Sequence, residues 1–126
     1  MTTRTVLTIE DQPDIRRLIR MTLEFKGFTV HDAGDGQQGL AKARQARPDL
    51  ILLDVMMPGM NGMEVSRALC ADPVLSGIPV VMLSALGNKV DIEAGLQAGA
   101  RAYLVKPFSP FELLDKVAAL IDEPRV

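Results

Sequence analysis

The feature that most constrains the fold is a regular alternation between two kinds of apolar pattern. Short β-type apolar runs are each followed by a segment whose apolar residues recur every three or four positions, which is the spacing of one helix face. The β-type runs begin at Thr5, Phe28, Leu50, Ile78 and Ala102. Residues 50–53 are apolar throughout, as expected of a strand that is buried on both faces. Five such units predict a parallel sheet covered by helices on both faces.

Residues that favour helix ends separate these units. Pro13 suits a first helical turn, Gly27 suits a helix stop, and Asp35 and Ser109 are good N-caps. Right-handed crossovers leave few topologies for five parallel strands in a chain of 126 residues. We therefore expect an α/β fold with a doubly wound five-stranded sheet of flavodoxin-like order 2-1-3-4-5. One domain should fill residues 1–126, with a core over about 5–121 and a tail or linker start at 122–126.

Chemically active side chains stand at the carboxyl ends of the predicted strands. Glu10 and Asp11 follow the first strand, Asp54 ends the third, Ser84 ends the fourth and Lys106 follows the fifth. In an open sheet of this kind, such ends meet in one cleft. Carboxylates held close together repel one another, and a divalent cation with oxygen ligands, such as Mg²⁺, relieves the repulsion. These five side chains together predict a magnesium site that also binds a phosphoryl group.

Asp54 is the best candidate for a nucleophile because four apolar residues precede it and hold it at the sheet edge. A carboxylate in that position can attack phosphorus and become an aspartyl phosphate. Glu10 and Asp11 suit the binding of the metal, and the backbone carbonyl of Met56 would complete its coordination. Lys106 and the hydroxyl of Ser84 would stabilise the phosphoryl oxygens.

Four segments carry a resemblance to a known family: residues 9–13, 53–62, 84–85 and 106–108. Each segment lies at a predicted strand end, and together they are similar to the signatures of response-regulator receiver domains of two-component signalling, including the chemotaxis-regulator type. The resemblance covers essentially the whole chain. It implies a phosphorelay protein in which a histidine kinase or a phosphotransfer protein phosphorylates an aspartate.

The resemblance also implies residue roles at the cleft. Asp54 would become a 4-aspartylphosphate, and Mg²⁺ would be held by Glu10, Asp11, Asp54 and the backbone carbonyl of Met56. Lys106 would contact the phosphoryl group. The first acidic residue is Glu10, where the family more often has aspartate, so we expect its longer side chain to reach the metal through water.

A switch is implied as well. Ser84 would contact the phosphoryl group, and Tyr103 would swing inward when Ser84 moves. The face made by the fourth helix, fifth strand and fifth helix would then control a downstream partner or an output domain. The peptide bond before Pro107 would be cis.

Charge and composition set expectations about partners. Fourteen Lys and Arg residues against sixteen Asp and Glu residues predict no direct contact with nucleic acid. No apolar run approaches the roughly 20 residues of a membrane span. The single cysteine makes neither an internal disulfide nor a zinc site, and without an export signal the cytoplasm is expected. Arg101 and Ala102 precede Tyr103 where a dimerising receiver carries acidic residues, which favours a monomer or a weak dimer.

Three other functions fit the fold class. A hydrolase or mutase that works through an aspartyl phosphate would carry an acid two positions after the nucleophile, where this chain has Met56. A flavin carrier would carry a Ser/Thr/Gly-rich loop after the first strand, where this chain has residues 10–13. We therefore expect no turnover enzyme. A receiver-like interaction module that works without phosphorylation stays an open alternative.

The residues at positions 56 and 86 bear on how long a phosphoryl group would persist. Met56 and Leu86 are apolar and cannot orient an attacking water by hydrogen bonding, so we expect slow self-dephosphorylation.

Overall fold

The computed structural model describes residues 3–122, in which five strands alternate with five helices. The strands are β1 (Thr5–Ile9), β2 (Thr29–Ala33), β3 (Leu50–Asp54), β4 (Val80–Ser84) and β5 (Ala102–Val105). The helices are α1 (Pro13–Phe25), α2 (Gly36–Ala46), α3 (Gly62–Ala71), α4 (Lys89–Gln97) and α5 (Pro110–Ile121). The alternation predicted from the apolar pattern is confirmed. Residues 123–126 of the expected tail lie outside the described part of the chain.

All strands are parallel, and their order is β2-β1-β3-β4-β5, as predicted. Val6 of β1 pairs with Val30 on one side and with Leu50 on the other. All five residues of the central strand β3 are buried. Helices cover both faces of the sheet, which is why β3 carries an unbroken apolar run rather than an alternating one.

Two apolar layers hold the helices to the sheet. Successive side chains of a strand point to opposite faces, so Leu7 and Ile9 pack with α2 and α3, while Val6 packs with α1 and α5. The fourth helix packs differently from the others, because Gly95 is its only buried residue.

Among residues 3–122, no helix is both long and apolar enough to span a membrane.

Two strands, β2 and β4, have bounds that differ from the sequence prediction, and β2 begins at Thr29 rather than at Phe28. The fourth strand begins at Val80 rather than at Ile78, whose N–H bonds to the carbonyl of Leu75 in a turn. Pro79 has no N–H to give to a strand ladder. The second strand extends to Ala33 through the polar residues 31 and 32, because β2 is an edge strand and need not be apolar throughout.

Helix starts fix the loops that surround the strand ends. Asn61 and Glu64 form a reciprocal capping box at the start of α3. A Cβ atom at Gly62 would lie 2.4 Å from the carbonyl oxygen of Asp54, so only glycine lets α3 start this close to the end of β3. The loop between β3 and α3 is thereby held at the same edge of the sheet as Asp54.

Candidate functional site

Glu10 is the most completely buried of the acidic residues at the strand ends. Its side chain is 0% exposed, and its Oε1 lies 2.8 Å from Lys106 Nζ. Its Oε2 accepts a hydrogen bond of 3.2 Å from the backbone N–H of Gln12. Both carboxylate oxygens of Glu10 are therefore bonded within the protein.

Asp54 lies beside this ion pair and is only 2% exposed. Its Oδ1 accepts a bond of 3.3 Å from Lys106 Nζ and one of 3.2 Å from the backbone N–H of Met56. Lys106 thus bridges Glu10 and Asp54, and its distance to Glu10 is the shorter. The next peptide bond, Lys106–Pro107, is cis.

Asp11 completes a cluster of three carboxylates. One oxygen from each of Glu10, Asp11 and Asp54 lies within 4.8 Å of the others. Asp11 Oδ1 is buried and has no hydrogen-bond partner in the described structure. A buried carboxylate oxygen without a partner is unfavourable, and a bound cation supplies what it lacks. Hard oxygen donors in this number, beside an open cleft, fit Mg²⁺ with water or phosphoryl oxygens as its other ligands.

The electrostatics of the cluster follow from burial. The pKa of Asp54 is raised to about 7, chiefly by burial and then by the neighbouring Glu10 carboxylate, while the ammonium of Lys106 opposes the rise. Burial by itself would lower the pKa of Lys106, but its bonds to Glu10 and Asp54 outweigh that effect and leave this pKa raised. The site therefore holds a cationic lysine among carboxylates that repel one another.

A cleft of about 170 Å³ opens over the cluster. It is lined by Asp11, Gln12, Asp54, Met56, Ala85 and Lys106. Water takes up roughly 30 Å³ per molecule, so the cleft has room for a phosphoryl group and a few waters. Asp54 and Lys106 are both at its surface, and this arrangement can bind a phosphoryl group against a carboxylate.

Ser84 and Tyr103 are linked through one residue. The buried Ser84 Oγ accepts a bond of 3.0 Å from the N–H of Leu86, and the Tyr103 hydroxyl donates a bond of 2.8 Å to the carbonyl of Leu86. Ser84 is not among the residues that line the cleft, and its hydroxyl oxygen is hydrogen-bonded within its own loop instead. The half-buried Tyr103 ring packs against α4, where a Cβ atom at Gly95 would lie 3.0 Å from a ring carbon.

The structure brings together Glu10, Asp11, Asp54 and Lys106, and it places Met56 on the cleft wall. Sequence reasoning did not anticipate the contact of Arg16, whose Nη1 donates to the backbone carbonyl of Glu10. It also missed the bond from the Gln12 N–H. Both depend on how the β1–α1 loop folds back, and no residue pattern signals that.

The comparisons with known proteins agree with this geometry. A family model described as the response regulator receiver domain matches residues 6–118. This chain belongs to the response regulator receiver domain family. Receiver domains are the phosphoacceptor modules of two-component systems, so the function implied by the sequence motifs is confirmed at this level. The alternative that works without phosphorylation is not favoured. Response regulators are generally not turnover enzymes, and receiver domains use Mg²⁺.

Individual relatives support the assignment. The receiver domain is 45% identical over 123 residues to the DNA-binding response regulator MtrA of Mycolicibacterium smegmatis, covering 94% of this chain and 53% of that protein. It is 40% identical to the phosphate regulon transcriptional regulatory protein PhoB of Pseudomonas aeruginosa, covering 96% of this chain and 53% of PhoB. Among solved structures, the chemotaxis protein CheY4 of Vibrio cholerae superposes with a TM-score of 0.90 at 35% identity, covering 94% of this chain and 99% of CheY4.

These relatives correct one expectation about partners. The receiver domain spans about half the length of the curated relatives that it matches. MtrA is named as DNA-binding, so the expectation of no direct contact with nucleic acid is not borne out. The charge balance behind that expectation describes residues 1–126 alone.

Proposed function

We propose that this receiver domain accepts one phosphoryl group on Asp54 from a phosphohistidine of a histidine kinase or a phosphotransfer protein. In that step a carboxylate oxygen of Asp54 forms a bond to phosphorus while the bond from phosphorus to the histidine nitrogen breaks. The imidazole leaves with the electron pair, and an aspartyl phosphate remains. The observation that carries the proposal is the Asp54 carboxylate, held against Lys106 and two further acids at an open cleft.

Lys106 and Ser84 have complementary parts in this proposal. The ammonium of Lys106 already lies 3.3 Å from Asp54 Oδ1 and would neutralise charge on the phosphoryl oxygens. The hydroxyl of Ser84 would leave the N–H of Leu86 and donate to another phosphoryl oxygen. Leu86 also binds the Tyr103 hydroxyl through its carbonyl, so a shift of Leu86 would reach Tyr103.

Magnesium belongs to the same proposal. Glu10, Asp11, Asp54 and the backbone carbonyl of Met56 would hold the ion, and the unpartnered Asp11 Oδ1 supports this assignment. Bound Mg²⁺ would neutralise the charge on the phosphoryl oxygens. Because both oxygens of Glu10 already have protein partners, we propose that Glu10 acts through water.

The output is proposed from the relatives. The face formed by α4, β5 and α5 contains Tyr103, and it would control an output domain or a separate partner. By similarity to MtrA, we propose a DNA-binding output domain in the whole protein. The folded receiver core would span about residues 5–121. The domain would act stoichiometrically in the cytoplasm, as a monomer or a weak dimer before phosphorylation.

Intact mass tests the acceptor residue. The wild-type domain is incubated with a small-molecule phosphoryl donor and Mg²⁺, beside Asp54→Asn and a matched control, Asp14→Asn, whose carboxylate is exposed. We expect the mass of one phosphoryl group to be gained by the wild type and the control only. An equal gain by Asp54→Asn would refute the assignment of Asp54. No gain by the wild type from either the small donor or a phosphorylated histidine kinase would favour phosphorylation-independent docking.

A further inference from the structure

A second cation lies at the base of the carboxylate cluster. Arg16, in the first turn of α1, folds back toward β1, and its Nη1 donates a hydrogen bond of 2.9 Å to the backbone carbonyl of Glu10. Arg16 is half-buried, whereas the next residue, Arg17, is exposed, and its side chain makes no hydrogen bond or ion pair with any described residue. Two adjacent arginines of one helix therefore differ in a single polar contact.

The carbonyl that Arg16 binds belongs to the planar peptide that joins Glu10 to Asp11. The N–H of Glu10 is held separately, by the carbonyl of Ala33 at 3.0 Å. With both groups held, the chain leaves β1 in a fixed direction. Asp11 Oδ1 has no hydrogen bond of its own, so its placement depends on this backbone.

The guanidinium also contacts the turn between β2 and α2. A Cβ atom built on Gly34 would lie 3.4 Å from Arg16 Nη1, so the turn packs directly against the guanidinium. Arg16 thus joins α1, the end of β1 and the β2–α2 turn at the point from which Asp11 projects. A planar group with several donors suits such a junction better than a point charge.

We propose that Arg16 is a positioning residue of the magnesium site: it fixes the peptide between Glu10 and Asp11 and so presents the Asp11 carboxylate to the cation. The inference rests on the proposed function, because it assigns a role toward the same Mg²⁺. Charge alone predicts the opposite effect. Arg16 is a cation near the cluster, so its removal would tighten Mg²⁺ binding if it acted only through electrostatics.

The test compares Mg²⁺ dissociation constants of the wild type, Arg16→Gln, Arg16→Lys and Arg17→Gln by titration calorimetry. Arg17→Gln is the matched control, since it removes the same charge one residue away. We expect Arg16→Gln to bind Mg²⁺ about tenfold more weakly than Arg17→Gln, the range typical of lost support for a metal ligand. Arg16→Lys keeps the charge and should lie between the two. Urea unfolding in EDTA checks that each variant is folded.

The possible outcomes distinguish a failure of the Arg16 role from a failure of the proposed magnesium site. No Mg²⁺ binding by the wild type would refute the magnesium site itself, and the role of Arg16 with it. Binding by the wild type that Asp11→Asn abolishes would support the site. If Arg16→Gln then binds Mg²⁺ as tightly as Arg17→Gln, or more tightly, the positioning role is wrong. If Arg16→Gln does not fold, Arg16→Lys decides, and a dissociation constant equal to that of the wild type refutes the role.

Discussion

Replacing Asp54 by asparagine should stabilise the metal-free domain, and by an amount that grows with pH. The pKa of this carboxyl rises from 3.8 to about 7 on folding, chiefly through burial and then through the nearby Glu10 carboxylate. Between these pH values the folded state keeps a proton that the unfolded state has released. The contribution of Asp54 to stability is therefore greatest below pH 4 and is lost as the pH rises through 7.

The magnitude follows from the shift. One pKa unit corresponds to about 1.4 kcal/mol, so a shift of about three units corresponds to roughly 4 kcal/mol. Asparagine has no proton to release in this range. The free energy of unfolding of Asp54→Asn, minus that of the wild type, should therefore rise by roughly 4 kcal/mol from pH 4 to pH 8. That is a large part of the total stability of a domain of this size, which is about 5–15 kcal/mol.

The assay is urea unfolding in EDTA at four or five pH values, followed by circular dichroism because the chain has no tryptophan. Asp14→Asn, which changes an exposed carboxylate, is the control, and its difference from the wild type should not show the rise expected for Asp54→Asn. Added Mg²⁺ at ten times its dissociation constant should stabilise the wild type by about 1.4 kcal/mol and Asp54→Asn by much less. The free energy of unfolding of Asp54→Asn, minus that of the wild type, could instead stay flat or fall between pH 5 and 8. That result would show that folding does not raise the pKa of Asp54, and it would refute the reasoning.

Three further predictions concern single positions. Thr8→Val should raise the free energy of unfolding by about 1–2 kcal/mol, because the buried Thr8 hydroxyl has no hydrogen-bond partner in the described structure and valine has nearly the same shape. Lower stability of this variant in urea unfolding would contradict the prediction. Arg47→Gly should stabilise by about 0.5–1 kcal/mol, because Arg47 ends α2 at φ 46°, which glycine adopts without strain; no change in the urea midpoint would count against it. Replacing the exposed Met56 and Leu86 by polar residues should shorten the lifetime of the phosphorylated domain, because polar side chains can orient an attacking water; an unchanged decay of intact mass would refute that reasoning.

The sequence predicted the fold well because two independent signals agreed. The apolar period distinguished strands from helices, and the right-handed crossover rule then left few strand orders. The exceptions lay at boundaries. The start of β4 depends on Pro79, and the length of β2 depends on its place at the sheet edge.

The sequence by itself determined which residues meet at the carboxyl edge. Once five parallel strands are ordered, Glu10, Asp11, Asp54 and Lys106 must converge, because backbone pairing brings the strand ends together whatever side chains they carry. The types of these residues, which the sequence displays directly, are what predict a magnesium site here.

Only the tertiary structure decided how these side chains are arranged. Glu10 and Lys106 are 96 positions apart, yet Glu10 is the nearer partner of the lysine, and the hydroxyl of Ser84 binds the N–H of Leu86 rather than facing the cleft. The support that Arg16 gives to the Glu10 carbonyl is equally invisible in the sequence. The physical reason is that a side chain takes the rotamer with the most favourable contacts in space, and those contacts come from residues far away along the chain.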